Sequence, residues 1–195
     1  MQYMIKILIT IIISALMQSS AVNMVSTTPK EAVTDFLSGL KARESMTMEK
    51  YMDNSYVNFL VNVQGDDAVT ERMNEALFSG FSYEIGRVVQ KNKAAVAEVT
   101  VRSIDYSSVL DGYETEAYAY VMDNLYTEEI ADKEKLEAKC LEIYVEQIEK
   151  AAETGNKIET LIYIPMVDDG YYGWNVIMTD ELMRSVLGNL QMPEL

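Results

Sequence analysis

One pair of neighbouring side chains, Asp105 and Tyr106, has the chemistry of an acid–base site. A buried carboxyl group can act as a general base, and a phenol beside it can stabilise an enolate-like oxyanion. The pair also stands where a predicted strand ends, and Asp is common there because its side chain starts turns. The residues therefore support two interpretations, a histidine-free acid–base site and an ordinary strand end.

Histidine is absent from the 195 residues, and cysteine occurs once, as Cys140. Ser-His-Asp and Cys-His catalysis, His-ligated zinc and Cys/His metal sites are therefore excluded. A single Cys also excludes an intramolecular disulfide, so the fold must be held together by its core. Because Cys140 lies within the apolar stripe of a predicted helix, we expect a buried thiol.

Acidic side chains outnumber basic ones by 31 to 16, which gives the chain a net charge of −15. Such a chain is repelled by phosphate backbones and anionic lipids, so we expect it to bind neither nucleic acid nor an anionic membrane. The short acidic pairs lack the alternating spacing of a calcium loop and are typical of turns: Asp66-Asp67, Asp123-Asn124 and Asp168-Asp169. The sequence predicts neither a metal site nor a cofactor.

The first 21 residues have the three-part layout of a secretory signal. A cationic start at Lys6 is followed by an apolar run at 7–17 and by small residues at Ser19 and Ala21, which a signal peptidase reads. We therefore predict a signal peptide at 1–21, a flexible lead-in at 22–28 and a single secreted or cell-surface domain at 29–191. An uncleaved membrane anchor is the alternative. The Cys that a lipid anchor needs after the apolar run is absent.

Hydrophobic periodicity predicts helices at both ends of the domain and in its middle. Thr28 and Pro29 are typical of an N-cap and a first helical position, so we predict that the first helix begins there. Residues 107–153 contain no proline and predict two long helices with a break at 126–129. Thr179 predicts the cap of a closing helix at 180–190.

Alternating apolar side chains predict two strand hairpins, one on each side of the helical insertion. The first covers 81–104 and the second 157–178, with a turn at 168–170. The strand at 157–167 is apolar on both faces, which is typical of a strand inside a sheet. The order of elements predicts an α+β fold, with an antiparallel sheet packed on N-terminal helices and a long helical insertion between two strand hairpins.

Three segments carry a resemblance to a known family: 28–33 at the first helix, 99–109 at a strand-to-helix junction, and 169–179 in the last hairpin. On these segments the chain resembles the nuclear-transport-factor-two-like superfamily, and more narrowly uncharacterised exported proteins of Gram-positive bacteria. The resemblance implies a cone-shaped α+β fold in which a curved sheet encloses a concave pocket. It also implies the ligand-binding residues of that pocket, which are Tyr83, Tyr106, Tyr163 and Trp174.

Three functions fit these observations. The first is an exported, non-enzymatic binding module that holds a small apolar ligand or a protein partner in the concave pocket. The second, which the resemblance implies, is a histidine-free isomerase or dehydratase that uses Asp105 and Tyr106 in the cone. The third is a structural or oligomerisation domain, because the resemblance implies that an open sheet face can form a homodimer. The sequence identifies neither the ligand nor the partner.

Overall fold

A computed structural model describes residues 28–62, 67–171 and 173–193, so the predicted signal peptide and residues 22–27 of the lead-in lie outside the described residues. Four helices come first: α1 (Pro29–Ala42), α2 (Ser45–Lys50), α3 (Ser55–Asn62) and α4 (Asp67–Phe78). A hairpin and the helical insertion follow: β1 (Ser82–Lys91), β2 (Ala94–Ile104), α5 (Val109–Asp123), α6 (Glu128–Ala131) and α7 (Lys133–Thr154). The chain continues through β3 (Lys157–Asp168), β4 (Trp174–Val176) and α8 (Asp180–Val186).

The four strands form one antiparallel sheet in the order β1-β2-β3-β4. The predicted α+β fold is confirmed, with N-terminal helices ahead of the strands and a helical insertion between the hairpins. The sheet itself is uncurled, unlike the curved sheet that the resemblance implied. Curvature requires bulges or glycine kinks, and β1 contains a register shift between Ile85 and Val88 whereas β2 and β3 pair without one.

Helix α1 begins where the sequence predicted, at a capping box. The Glu31 N–H donates to Thr28 Oγ1 at 3.2 Å, and the Thr28 N–H donates to Glu31 Oε2 at 3.0 Å. Two backbone donors that the helix itself cannot satisfy are thus paired. The apolar face of α1 then lies against the sheet and is buried: Ala32, Val33, Phe36, Leu37 and Leu40.

The inner face of the sheet forms the floor of the core. Ala97, Val99, Ile164 and Met166 are each at most 1% exposed. The adjoining residues of β3 point to the opposite face, where Leu161 is 52% exposed. Strand β3 lies between β2 and β4 as predicted, yet the apolar side chains on its outer face are left in solvent.

Two elements are shorter than predicted. Strand β4 covers three residues instead of the 171–178 expected, because the loop before it is longer than a two-residue turn. Asp168 and Asp169 accept hydrogen bonds from the N–H groups of Gly170 and Tyr171, and these contacts hold the loop out of the sheet. Helix α8 ends at Val186 instead of residue 190, because Gly188 has a positive φ of 58°.

The helical insertion has the predicted two long helices, α5 and α7, with the short α6 in the break between them. Cys140 on α7 is half-buried, so its thiol is less enclosed than predicted. Within the described ranges, every helix falls short of the length or the hydropathy that a bilayer-spanning segment needs.

Candidate functional site

Two of the predicted ligand-binding residues, Tyr83 and Tyr106, lie on the core side of the sheet with their hydroxyl groups engaged. The Tyr83 hydroxyl is 2.8 Å from Ser38 Oγ, which joins β1 to α1. Tyr106 is fully buried and donates to the Ala76 carbonyl at 2.7 Å. Burial raises the pKa of Tyr106 to about 12. Tyr83 therefore connects α1 to the sheet, and Tyr106 connects α4 to the segment that follows β2.

The other two, Tyr163 and Trp174, lie on opposite faces of the sheet. Tyr163 pairs with Glu98 on the outer face and is 62% exposed, whereas Trp174 is 7% exposed and points into the core. The structure therefore does not bring the four residues into one pocket, because the side chains of Tyr163 and Trp174 project from opposite sides of the strands. Their role in binding a ligand stays a prediction.

The Asp105–Tyr106 pair has the contacts of a strand end. The Asp105 N–H donates to the Asn156 carbonyl at 2.8 Å, and Asp105 Oδ1 accepts from the Ser107 N–H at 3.0 Å. The side chain thus closes a turn between β2 and α5. These contacts support the interpretation of the pair as an ordinary strand end. They do not support a role in an enzyme.

Two neighbouring cavities lie where α1, α2 and β4 meet, and together they are the candidate site. The first, called the recess here, has a volume of about 50 Å³ and is lined by Ala32, Asp35, Phe36, Met46, Thr47, Lys50, Tyr51, Trp174 and Val176. The second, called the cleft, has a volume of about 420 Å³ and is lined by Lys50, Tyr51, Asp53, Asn54, Met178, Thr179 and Asp180. Lys50 and Tyr51 border both.

A close helix–helix contact positions the two shared residues. Arg43 adopts a left-handed conformation with φ of 55° and ends α1, so that α2 turns back against it. An added Cβ at Gly39 would lie 2.1 Å from Thr47 Oγ1, so only glycine permits this approach. The Tyr51 ring, directly after α2, then packs edge-on against Phe36 with the ring centroids 5.4 Å apart.

Hydrogen bonds connect Lys50 to the loop before β4. Lys50 Nζ donates to Asn175 Oδ1 at 2.5 Å, and Asn175 Nδ2 donates to Asp169 Oδ2 at 3.1 Å. The ammonium group also lies 5.4 Å from the centroid of the Tyr51 ring. Desolvation lowers the pKa of Lys50, and the nearby negative charge of Asp169 opposes that shift. The ammonium thus has an amide, an aromatic face and a carboxylate around it.

The cleft is rich in negative charge. Asp53 and Asp180 line it, Asp35 lines the recess, and Asp169 lies beside Lys50. Three carboxylates therefore line the two cavities, and a fourth lies near the one ammonium group. Such a surface attracts cations and repels anions, and the net charge of the whole chain acts in the same direction.

Tyr51 supplies a prediction about alkaline stability. Burial raises the pKa of Tyr51 to about 12 from 10.0, and a hydrogen bond with the Val176 backbone opposes the shift. Because the folded state favours the neutral phenol, this stabilisation is complete below pH 10 and is lost as the pH rises towards 12. Between pH 10 and pH 12, we expect the free energy of unfolding in urea to fall less for Tyr51→Phe than for the unmodified chain. The same change at the exposed Tyr118 is the control, and equal losses in both variants would show that Tyr51 is not buried.

Sequence analysis missed Lys50, Asn175 and Asp169, which form the polar centre of the site. Lys50 and Asn175 are 125 residues apart, and neither belongs to a motif. The one available signal was the polar Asn175 beside Trp174 in the last hairpin. Within the described ranges, no group of three or more acidic or cysteine side chains could hold a metal ion.

Comparisons with known proteins leave the family of this chain open. No family model matches it, and no curated protein matches it. A solved structure of a candidate lipoprotein from Bacillus subtilis subsp. subtilis strain 168 is 20% identical, with a TM-score of 0.43. The match covers 84% of this chain, which spans about half (47%) of that protein. A likeness of this size assigns neither a superfamily nor a function, so the resemblance stated above stays a prediction.

Proposed function

We propose that the chain is an exported, non-enzymatic binding module whose ligand combines an apolar group with a positive charge. The apolar end would pack in the recess against Phe36, Tyr51 and Trp174, and the cationic end would lie in the cleft near Asp53 and Asp180. Export rests on the predicted signal peptide at 1–21. A small organic cation or a basic side chain of a protein partner has the required chemistry.

The observation that carries the proposal is the combination of aromatic walls with an excess of carboxylates. Aromatic faces attract cations, and the carboxylates at the cavity add a Coulomb attraction that salt weakens. An anionic ligand would meet four carboxylates against one ammonium.

The inner face of the sheet is a less favourable place for a ligand than these two cavities. Side chains of the core already occupy that face, including Val99, Ile164 and Met166. Opening a pocket there would separate residues that are packed against α1 and α8. The proposal therefore moves the ligand from the middle of the sheet to its edge at β4.

The single tryptophan allows a direct test, because Trp174 borders the recess and gives one indole N–H resonance. The chain is titrated with n-butylammonium, with the neutral n-butanol and with the anion butyrate. We expect n-butylammonium to shift the indole resonance saturably, and added salt to weaken its binding. We expect weaker shifts from n-butanol and none from butyrate. Saturable binding of butyrate, or no response to n-butylammonium, would contradict the proposal.

Charge variants sharpen this test. Asp53→Asn should weaken n-butylammonium binding about threefold to tenfold, whereas Asp123→Asn, an identical change on the exposed end of α5, should leave it unchanged. Lys50→Met should tighten binding, because it removes the only ammonium that borders the two cavities within the described residues. If Lys50→Met instead weakened or abolished n-butylammonium binding, the proposed charge preference would be wrong.

A further inference from the structure

The edge of β3 that faces β4 is open along most of its length. Strand β4 pairs with three residues at the far end of β3, Met166 to Asp168, and the Ile177 N–H reaches the Pro165 carbonyl at 2.9 Å. No described residue pairs with that edge between Lys157 and Ile164. An inner strand of the sheet thus exposes a long segment of unpaired backbone.

The direction of the free backbone groups follows from two hydrogen bonds. The Asp168 N–H donates to the Lys93 carbonyl at 2.9 Å, whereas Pro165 accepts from Ile177 on the other side. Backbone groups alternate in direction along a strand, so even-numbered residues of β3 face β2 and odd-numbered residues face the open edge. The free N–H and C=O groups belong to Lys157, Glu159, Leu161 and Tyr163.

This edge has little of the protection that usually blocks a free strand. Bulges, prolines and charged side chains normally discourage pairing. Here the register of β3 is unbroken, Pro165 stands beyond the free segment, and the charged residues are Lys157 and Glu159 near its start. Leu161 and Tyr163 are 52% and 62% exposed beside the free backbone, so pairing would also cover apolar surface.

We propose that a second copy of this chain pairs with this edge, so that two β3 strands join antiparallel about a two-fold axis at Thr160. In the free segment, Lys-Ile-Glu-Thr-Leu-Ile-Tyr (157–163), an isoleucine lies two residues to either side of Thr160. Ile158 of one copy then faces Ile162 of the partner subunit, and the two Thr160 side chains face each other. Both are favourable cross-strand pairs. A two-fold interface needs such a self-complementary surface.

The same register satisfies every free backbone group of the segment. Odd-numbered residues face odd-numbered residues, so Lys157 pairs with Tyr163 of the partner subunit and Glu159 pairs with Leu161 of the partner subunit. The Lys157 ammonium is also brought beside the exposed ring of Tyr163 of the partner subunit. Each copy carries a net charge of −15, so the copies repel one another and association should strengthen as salt is added.

Sedimentation and amide exchange test the proposal together. We expect the purified chain to change from monomer to dimer as its concentration rises, with a lower dissociation constant at higher salt. The amides of Glu159, Leu161 and Tyr163 should exchange rapidly in the monomer and become protected in the dimer. The amides of Ile158, Thr160 and Ile162 should be protected throughout, because they face β2. They are the internal control.

A proline variant adds a second test. Leu161→Pro removes an N–H that faces the open edge and leaves the β2–β3 ladder intact. It should raise the dissociation constant of the dimer at least about tenfold, whereas Leu161→Ala keeps the N–H and should raise it less. An unchanged constant for Leu161→Pro would overturn the proposal. So would rapid exchange of the odd-numbered amides at every concentration, whether the chain stays monomeric or dimerises elsewhere. That exchange pattern decides the question even if Leu161→Pro fails to fold.

Discussion

Replacing Gly188 by alanine is expected to destabilise the protein by at least about 3 kcal/mol. An added Cβ would lie 1.7 Å from the Ile104 carbonyl oxygen and 3.0 Å from its carbonyl carbon. Both are backbone atoms at the end of β2, so no side-chain rotation can relieve the clash. Gly188 also has a positive φ of 58°, which alanine adopts at a cost. The segment cannot move away freely, since the Gly188 carbonyl accepts from the Tyr106 N–H at 2.7 Å.

Gly155 provides a matched control for this prediction. It has a similar φ of 68°, but an added Cβ there would meet nothing within 4 Å. Gly155→Ala should therefore lower the free energy of unfolding in urea only by the conformational cost of the positive φ, about 1 kcal/mol. The difference between the two variants measures the contact of the segment after α8 with the end of β2. Equal losses would mean that this contact does not exist.

Replacing Tyr144 by alanine is expected to cost about 4 kcal/mol of unfolding free energy. The side chain is fully buried and joins elements that are distant in sequence. Its ring packs edge-on against Phe59 of α3 at 5.9 Å and against Tyr113 of α5 at 5.6 Å. Its hydroxyl donates to the Gln191 carbonyl at 2.9 Å. Truncation would leave a cavity between three helices and an unpaired carbonyl.

Two further variants separate the ring of Tyr144 from its hydroxyl. Tyr144→Phe keeps the ring and removes one hydrogen bond, so it should cost about 1 to 2 kcal/mol. Tyr126→Ala removes a fully exposed ring and should change stability by less than about 0.5 kcal/mol. Chemical denaturation of the three variants gives the comparison. A loss for Tyr144→Ala as small as that for Tyr126→Ala would show that α7 is not docked as described.

Much of the secondary structure could be predicted, because its signals are local. The capping box at Thr28 and Glu31 lies within one helical turn, and its predicted helix start is confirmed. The alternation in 94–104 predicted the bounds of β2 correctly. The length of β4 and the end of α8 were wrong, because each depends on contacts with a loop or a strand elsewhere in the chain.

The candidate site was harder to predict, because its residues meet only through packing. Lys50 is the last residue of a short helix whose position depends on the contact between Gly39 and Thr47. Asn175 and Asp169 come from the last hairpin, far along the chain. The predicted site residues were chosen for their aromatic rings, and Tyr163 and Trp174 proved to lie on opposite faces of the sheet. Alternation along one strand does not show which of two apolar faces the helices will cover.

The sequence by itself determined the excluded chemistries, the acidic charge, the predicted signal and the α+β order of elements, since each follows from composition or local pattern. The tertiary structure alone decided which face of β3 is covered, where Lys50 meets Asn175, and which backbone edge stays free. These depend on how far each helix extends over the sheet and on the shortness of β4. Both are long-range consequences of packing, which no short segment of the chain contains.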